Sequence, residues 1–536
     1  MQDIRSLSSY SALQPALPQE QALALASQLG ELANLDVYWR SLAIAHRAIY
    51  FLGKARQGPP GEKRLGILAQ PGSPALKGFK GTKSVVALEG QDFDLLLCPT
   101  SYANALALHE ALPYTQPRTL GLATSAGCGD RLGLATPGHL RALRNTVRDD
   151  EAPILPILAQ QSIREMERTE RTPEDVVNDA TWGVLQEGWR FGYGADADHL
   201  KTTDDVDICV AAGFTFYTFD PREHVDNDAH TDLLETLRGK VATLPWDRLQ
   251  DTQAAMRDRY LRPATGGFQI EDQLVLSFDE TSLLRAAAKY GRALAHVAEI
   301  YGYTAQAMQD KPFEVEVSVD ETDTTTSPEE HFFIASELRR LGVEWVSLAP
   351  RYPGRFEKGV DYIGDLDRFE TEIAQHAAIA RCCGTYKLSI HSGSDKFSVY
   401  PIMAKHTRGL VHLKTAGTSY LEALRAIAEI DPDLFAEILD FAFERYETDR
   451  ASYHVSADPA QCPRPEDLQE QGLAAALDNF HAREMLHVTF GSVLTAQDEA
   501  GQYIYRDRFF AALKSDEEAY YRVLETHFDK HLNPFR

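Results

Sequence analysis

From about residue 118 to 430 the chain alternates short apolar, β-branched and aromatic runs with amphipathic helical stretches, eight times over. Strand followed by helix implies parallel strands joined by crossovers, and eight such units in about 300 residues imply a closed (β/α)8 barrel of the TIM type. The predicted strands are 119–124 (TLGLAT), 154–160, 189–199, 214–220, 313–320, 343–350, 386–392 and 410–417. An open doubly wound sheet is the competing α/β architecture, but no G-x-G-x-x-G turn follows the first strand.

Around this repeat the remaining sequence divides into three parts. Residues 1–117 read as an N-terminal α/β segment with two strands, SVVALEG and FDLLLCP, and a Gly/Pro/Lys-rich stretch at 53–83. That stretch reads as a long basic loop, either a solvated connector or a flap over an anionic ligand. The barrel, 118–430, is interrupted after its fourth strand by an insertion, 221–280, expected to form a helical lobe. Beyond residue 431 the periodicity is helical to the end, giving a C-terminal helical extension, 431–536.

The balance of 54 Lys+Arg against 79 Asp+Glu gives a net charge of −25, which repels nucleic acid and anionic lipid. An anionic small substrate therefore needs a local cationic cluster. Six cysteines with no C-x-x-C pair make no disulfide framework and fit a reducing cytoplasm. The N-terminus lacks a basic and apolar leader, and no apolar run approaches about 18 residues, so neither export nor a membrane span is expected. The sequence is compatible with a homo-oligomer and does not specify one.

Barrel strands are covered on both faces, so polar alternation within one is informative. In FEVEVSVD, Glu316, Ser318 and Asp320 share one face and Val315, Val317 and Val319 the other. With the valines against the outer helices, the polar face turns into the barrel and points toward its C-terminal mouth; on an exposed edge it would simply be wetted. His391 ends the seventh strand, His412 and Lys414 share a face of the eighth, and His199 ends the third. Three imidazoles plus a carboxylate at one end of a barrel suit a divalent cation such as Zn, Mn, Co, Ni or Fe. Asp198, beside His199, is placed to take a substrate proton, or else it caps the next helix together with Asp196. Other mouth candidates for substrate contacts are Asp130 and Arg131 on the first loop, Lys201, Arg351 with Arg355 and Lys358, Lys396 and Lys414. Thr418, with Gly417 and Ser419, begins a helix that could present N–H groups to an anion.

The strings GDRLGLATPGH, GYGADADHLKT, FEVEVSVDET, SLAPRYPGRFEKGVDYIGD, LSIHSGSDKFSVYP and HLKTAGTSYLEALR resemble the tagaturonate epimerase family. Its members interconvert tagaturonate and fructuronate, and some relatives act on tagatose and fructose. The resemblance implies a metal-dependent barrel enzyme with Asp198 as proton acceptor, Glu316 as proton donor and His199 and His391 as metal ligands. His412 is the third expected ligand. Because the inverted carbon lies β to the ketone, its C–H is not acidified, and retro-aldol cleavage with readdition is the expected route over direct deprotonation. A class II aldolase of a keto-sugar acid and a non-catalytic sugar-acid binding protein are the alternatives.

Overall fold

The structure, a computed structural model, describes residues 18–536 apart from 89, 150, 262–265, 272–273, 392–393 and 469. The reading of the N-terminal 17 residues, and the end of the predicted seventh strand at 392, lie outside the described residues.

Among the described residues the helix Gln19–Ala33 is followed by six strands: β1 (Leu35–Val37), β2 (Ala43–Ala45), β3 (Ala48–Ala55), β4 (Lys63–Ala69), β5 (Thr82–Leu88) and β6 (Gln91–Pro99). They form one antiparallel sheet, ordered β1-β3-β4-β6-β5 with β2 on β3. The stretch expected to be a basic loop thus contains a central strand, β4, whose Leu65 and Ile67 are fully buried. Lysine and glycine around this run masked a strand that is apolar only over its last five residues. Residues alternate between two cores: Tyr50, Leu52, Leu65 and Ile67 pack on Trp182 and Leu185 of the barrel helix Pro173–Glu187, while Ile49, Phe51 and Leu68 pack under the helix Gln19–Ala33.

Eight parallel strands then close a barrel: β7 (Ser125–Cys128), β8 (Leu155–Ser162), β9 (Gly194–Leu200), β10 (Phe216–Phe219), β13 (Glu314–Ser318), β14 (Ser347–Ala349), β15 (Lys387–Ile390) and β16 (Val411–Lys414). The first strand is not TLGLAT but the following SAGC. Gly121 instead turns at φ 61° and donates its N–H to Glu314, so 119–124 closes the barrel floor. Small residues make β7 because the interior there is already filled: a Cβ on Gly127 would sit 3.1 Å from Gln160 Cγ. Val315, Val317 and Val319 join the core under the outer helices, and Glu316 and Ser318 face inward, fully buried.

The insertion holds helices Leu234–Ala242 and Gln253–Tyr260 and also a hairpin, β11 (Phe268–Glu271) with β12 (Leu274–Leu276), before the long helix Glu280–Met308. The C-terminal helices fold back on the barrel. Helix Glu517–Leu532 lies on helix Thr136–Arg144 at a distance only Gly138 allows, since a Cβ there would meet Leu524 at 2.8 Å. Among the described residues no helix is long and apolar enough to cross a membrane.

A buried ionic cluster clamps this extension to the loop after β15. Arg483 Nη2 lies 3.0 Å from Asp395 Oδ2 and 3.1 Å from Glu422 Oε1, His527 bonds both carboxylates, and His531 Nε2 accepts the Asp395 N–H at 2.9 Å. Removing one partner of such a network strands buried charge, so Arg483→Met is expected to cost about 3–5 kcal/mol, read from urea unfolding at pH 7.

Candidate active site

The barrel interior is organised by one ammonium. Lys414 Nζ on β16 lies 2.6 Å from Asp198 Oδ1, 2.9 Å from Asp196 Oδ2 and 2.8 Å from Glu316 Oε1, and it donates to Thr218 Oγ1 at 2.6 Å. These partners come from β9, β10 and β13, so Lys414 ties four strands at one level. Gln160 on β8 donates to Asp198 Oδ2 at 2.6 Å. His391, just past β15, bonds Glu316 Oε1 through Nε2 at 2.5 Å, and its Nδ1 lies 3.2 Å from Asp320.

Burial alone would raise all these carboxyls, and the cations decide which stay ionised. His199, Lys414 and His391 outweigh burial at Asp198 and hold it well below the usual range. Lys414 and His391 do the same at Glu316. At Asp196 burial prevails over Lys414, with Asp198 and Glu316 adding repulsion, and the carboxyl is pushed up to about 7. Burial disfavours the His391 cation, yet Asp320 and Glu316 overcome it and raise the imidazole to about 10.

Asp198 and His199 are adjacent in sequence and would face opposite ways in a regular strand. A bulge removes that constraint: Tyr217 pairs with Ala197 but Phe219 pairs with Leu200, leaving Asp198 and His199 together opposite Thr218. His199 takes φ 57°, a conformation rare for a residue with a side chain, and both groups line the mouth. Its Nδ1 is held 3.2 Å from Asp220, which leaves Nε2 facing Asp198 at 3.7 Å.

Asp198, His199 and His391 each offer a ligand atom, all within 4.8 Å of one another. A set of one carboxylate and two imidazoles suits the divalent metals named above, and Asp220 behind His199 is the supporting carboxylate such ligands need. Glu316 Oε2 is buried without a partner, and four carboxyls, three on Lys414 and Asp320 on His391, crowd this end of the barrel, a concentration of acceptors that a cation would suit. The residues present therefore fit a divalent metal. Each nitrogen of His391 already faces a carboxylate, and binding would take one of them.

His412, the third expected ligand, lies outside this group of ligand atoms, with its buried Nε2 unpartnered. Two residues before Lys414 on the same face, it sits one layer deeper, where Nδ1 bonds Ser125 Oγ at 2.9 Å and burial drives its pKa down to about 3. Lys396 also faces away from the mouth: its Nζ donates to the carbonyls of Glu357, Val360 and Ser394 and pins two loops together. Lys201 pairs with Glu223 at 2.6 Å on the surface. Asp130 binds the N–H groups of Leu132, Gly133, Leu134 and Ala135, holding its own loop. Arg351 lines a neighbouring cleft with Arg222 and Arg355. Thr418 opens helix Thr418–Ile430, its buried Oγ1 without a partner.

The mouth pocket joins Asp198, His199, His391 and Lys414 to Arg131, Arg164, Lys358, Gln160, Tyr453 and His487. Arg131 chelates Glu165 Oε1 through Nε and Nη2 at 2.9 and 2.7 Å. Sequence reasoning missed Asp196 as an interior residue and missed Gln160, Arg164, Tyr453 and His487 altogether. Gln160 had a signal, as a polar residue ending an apolar strand. Tyr453 and His487 had none, because they belong to the extension.

Lys414→Met would leave Asp198 and Glu316 buried and ionised. A loss of about 3–5 kcal/mol is expected at pH 7. In the wild type these two groups, held below their usual values, add stability above about pH 4 that is lost on acidification. Without Lys414 their pKa values rise, so the deficit should shrink between pH 7 and pH 5 in urea titrations.

A family model described as tagaturonate epimerase matches residues 38–535. A Thermotoga maritima protein named tagaturonate/fructuronate epimerase is 41% identical over 498 residues, 93% of this chain and 96% of that one. The crystal structure of fructuronate-tagaturonate epimerase from Cohnella laeviribosi with one glycerol bound superposes with a TM-score of 0.85 at 36% identity, covering 96% of this chain and 99% of that one. Its native form gives the same values.

Proposed function

The chain belongs to the tagaturonate epimerase family, and from that membership we propose that it interconverts tagaturonate and fructuronate by inverting the hydroxyl-bearing carbon β to the ketone. One observation carries this reading: a single pocket holds an ionised carboxylate, Asp198, beside two imidazoles, and it is walled as well by Arg131, Arg164 and Lys358. The first group serves proton transfer and the second an anionic substrate. That wall favours the uronate over the neutral ketohexose.

The chemistry follows from the substrate. Asp198 takes the proton of the β-hydroxyl, the C–O bond becomes a carbonyl, and the electrons of the broken C–C bond pass to the ketone fragment as an enediolate. The aldehyde fragment rotates and is attacked on its other face, and the new alkoxide is protonated. Glu316 is held ionised by Lys414, so it acts as donor through the proton it shares with His391. Lys414 keeps Asp198 and Glu316 in place at the level of the reacting carbons. Tyr453 and His487 close the pocket against loss of either fragment. A divalent cation held by His199 and His391, next to Asp198, would supply positive charge beside the ketone oxygen.

The test is to incubate metal-stripped and metal-reloaded protein with fructuronate, and separately with fructose, and follow the epimers by NMR. Fructuronate is expected to turn over after reloading and fructose more slowly. Asp198→Asn should lower turnover about 10²- to 10⁴-fold, the size of a lost general base, with bound metal retained by elemental analysis. Metal lost together with activity would make Asp198 a ligand instead of the base. Accumulation of free aldehyde would identify an aldolase, and no change in either sugar with any of the five metals overturns the reading.

A further inference from the structure

Two buried hydrogen-bond donors at one end of the mouth pocket have nothing to donate to. Arg131 spends Nε and Nη2 on Glu165, while Nη1 is buried without a partner; its guanidinium is fixed 3.6 Å from the Phe490 ring of the extension. His487, 1% exposed on helix Phe480–Val488, has Nε2 3.4 Å from Arg131 Nη2. A guanidinium can only donate, so Nε2 accepts and Nδ1 carries the imidazole hydrogen. That Nδ1 is buried without a partner as well.

The imidazole meets the start of helix Thr418–Ile430, and Arg131 lines the same pocket as Gly417. The N-cap, Gly417, offers no side-chain cap to the first-turn N–H groups, and a Cβ there would lie 1.8 Å from His487 Cε1 and 2.5 Å from Nδ1. The imidazole edge therefore lies directly against the helix end, and only glycine allows the approach. Thr418, the next residue in the chain, is fully buried and its Oγ1 also lacks a partner. A helix start without a side-chain cap, together with an unpaired guanidinium nitrogen, imidazole N–H and hydroxyl, matches the oxygens of a carboxylate.

We propose that this corner is the seat of the substrate's carboxylate, and that His487, a residue of the C-terminal extension, is a specificity-determining residue for the uronate over the neutral sugar. The inference rests on the epimerase reading and deepens it. When the bond between the ketone fragment and the β-carbon breaks, the aldehyde fragment is the one that keeps the carboxylate. The seat thus holds that fragment by its far end while its aldehyde carbon turns.

The experiment uses the full metal-loaded chain as wild type, His487→Leu and His487→Asn. It measures kcat and KM for fructuronate and for fructose, and the binding of each by calorimetry. His487→Leu is expected to lower the preference for fructuronate about 10- to 100-fold, mainly through KM, as for a lost hydrogen bond to a charged group. His487→Asn, which keeps an N–H near the Nδ1 position, should restore most of it. Should His487→Leu not fold, Thr418→Val tests the same corner by the same ratio. An equal loss for both sugars, or wild type that binds fructose as tightly as fructuronate, overturns the seat. Wild type that turns over neither sugar but binds fructuronate with a His487-dependent preference would sink the epimerase reading and leave the seat standing.

Discussion

The contact of Lys414 with three carboxyls and a threonine is the interaction on which the interior depends. A barrel core is ordinarily a stack of branched apolar side chains. Here Asp196, Thr218, Glu316 and Lys414 replace them at one level, and burying those charges is tolerable only because each is within hydrogen-bond range of another. The same contact sets the protonation pattern above it. Lys414 keeps Asp198 and Glu316 ionised, and the ionised Glu316 in turn helps keep His391 charged. Structure and reactivity in this mouth therefore share one cation.

The extension is the second requirement. Its helices anchor the loop after β15 through Asp395, place Phe490 against Arg131 and bring His487 to the start of the helix after β16. All potential ligand atoms in the cluster of Asp395, His527 and His531 have protein partners, so that group needs no ion and serves as a clamp. A barrel without this layer would have an open mouth and an unbraced seventh loop. The N-terminal sheet packs on the barrel helix Pro173–Glu187 and also meets the extension, where Lys63 Nζ lies 3.1 Å from Glu517 Oε2.

The fold was legible where local pattern and environment agree. The FEVEVSVD strand shows its two faces by alternation alone, and the valines and acids lie where period two places them. The reading failed at TLGLAT and at 63–69 for opposite reasons. TLGLAT has the composition of a strand but contains Gly121, whose left-handed turn seals the floor. Lys63–Ala69 is a buried central strand flanked by loop-like sequence. In both cases the deciding contact is far away in the chain: Glu314 for the first, β3 and β6 for the second.

The site divides the same way. Residue types at strand ends were enough to single out Asp198, His199, Glu316, His391 and Lys414, because ionisable groups in barrel strands are conspicuous against an apolar background. Sequence could not say that a bulge turns Asp198 and His199 the same way, since backbone register is settled by pairing with β10. Nor could it place His412 a layer below His391, or bring His487 to a pocket whose most distant residue, Arg131, is 356 residues upstream. Pattern along a chain reports which face a residue occupies; depth within a barrel and contact with a distant helix exist only once strands are registered and the extension has closed over the mouth.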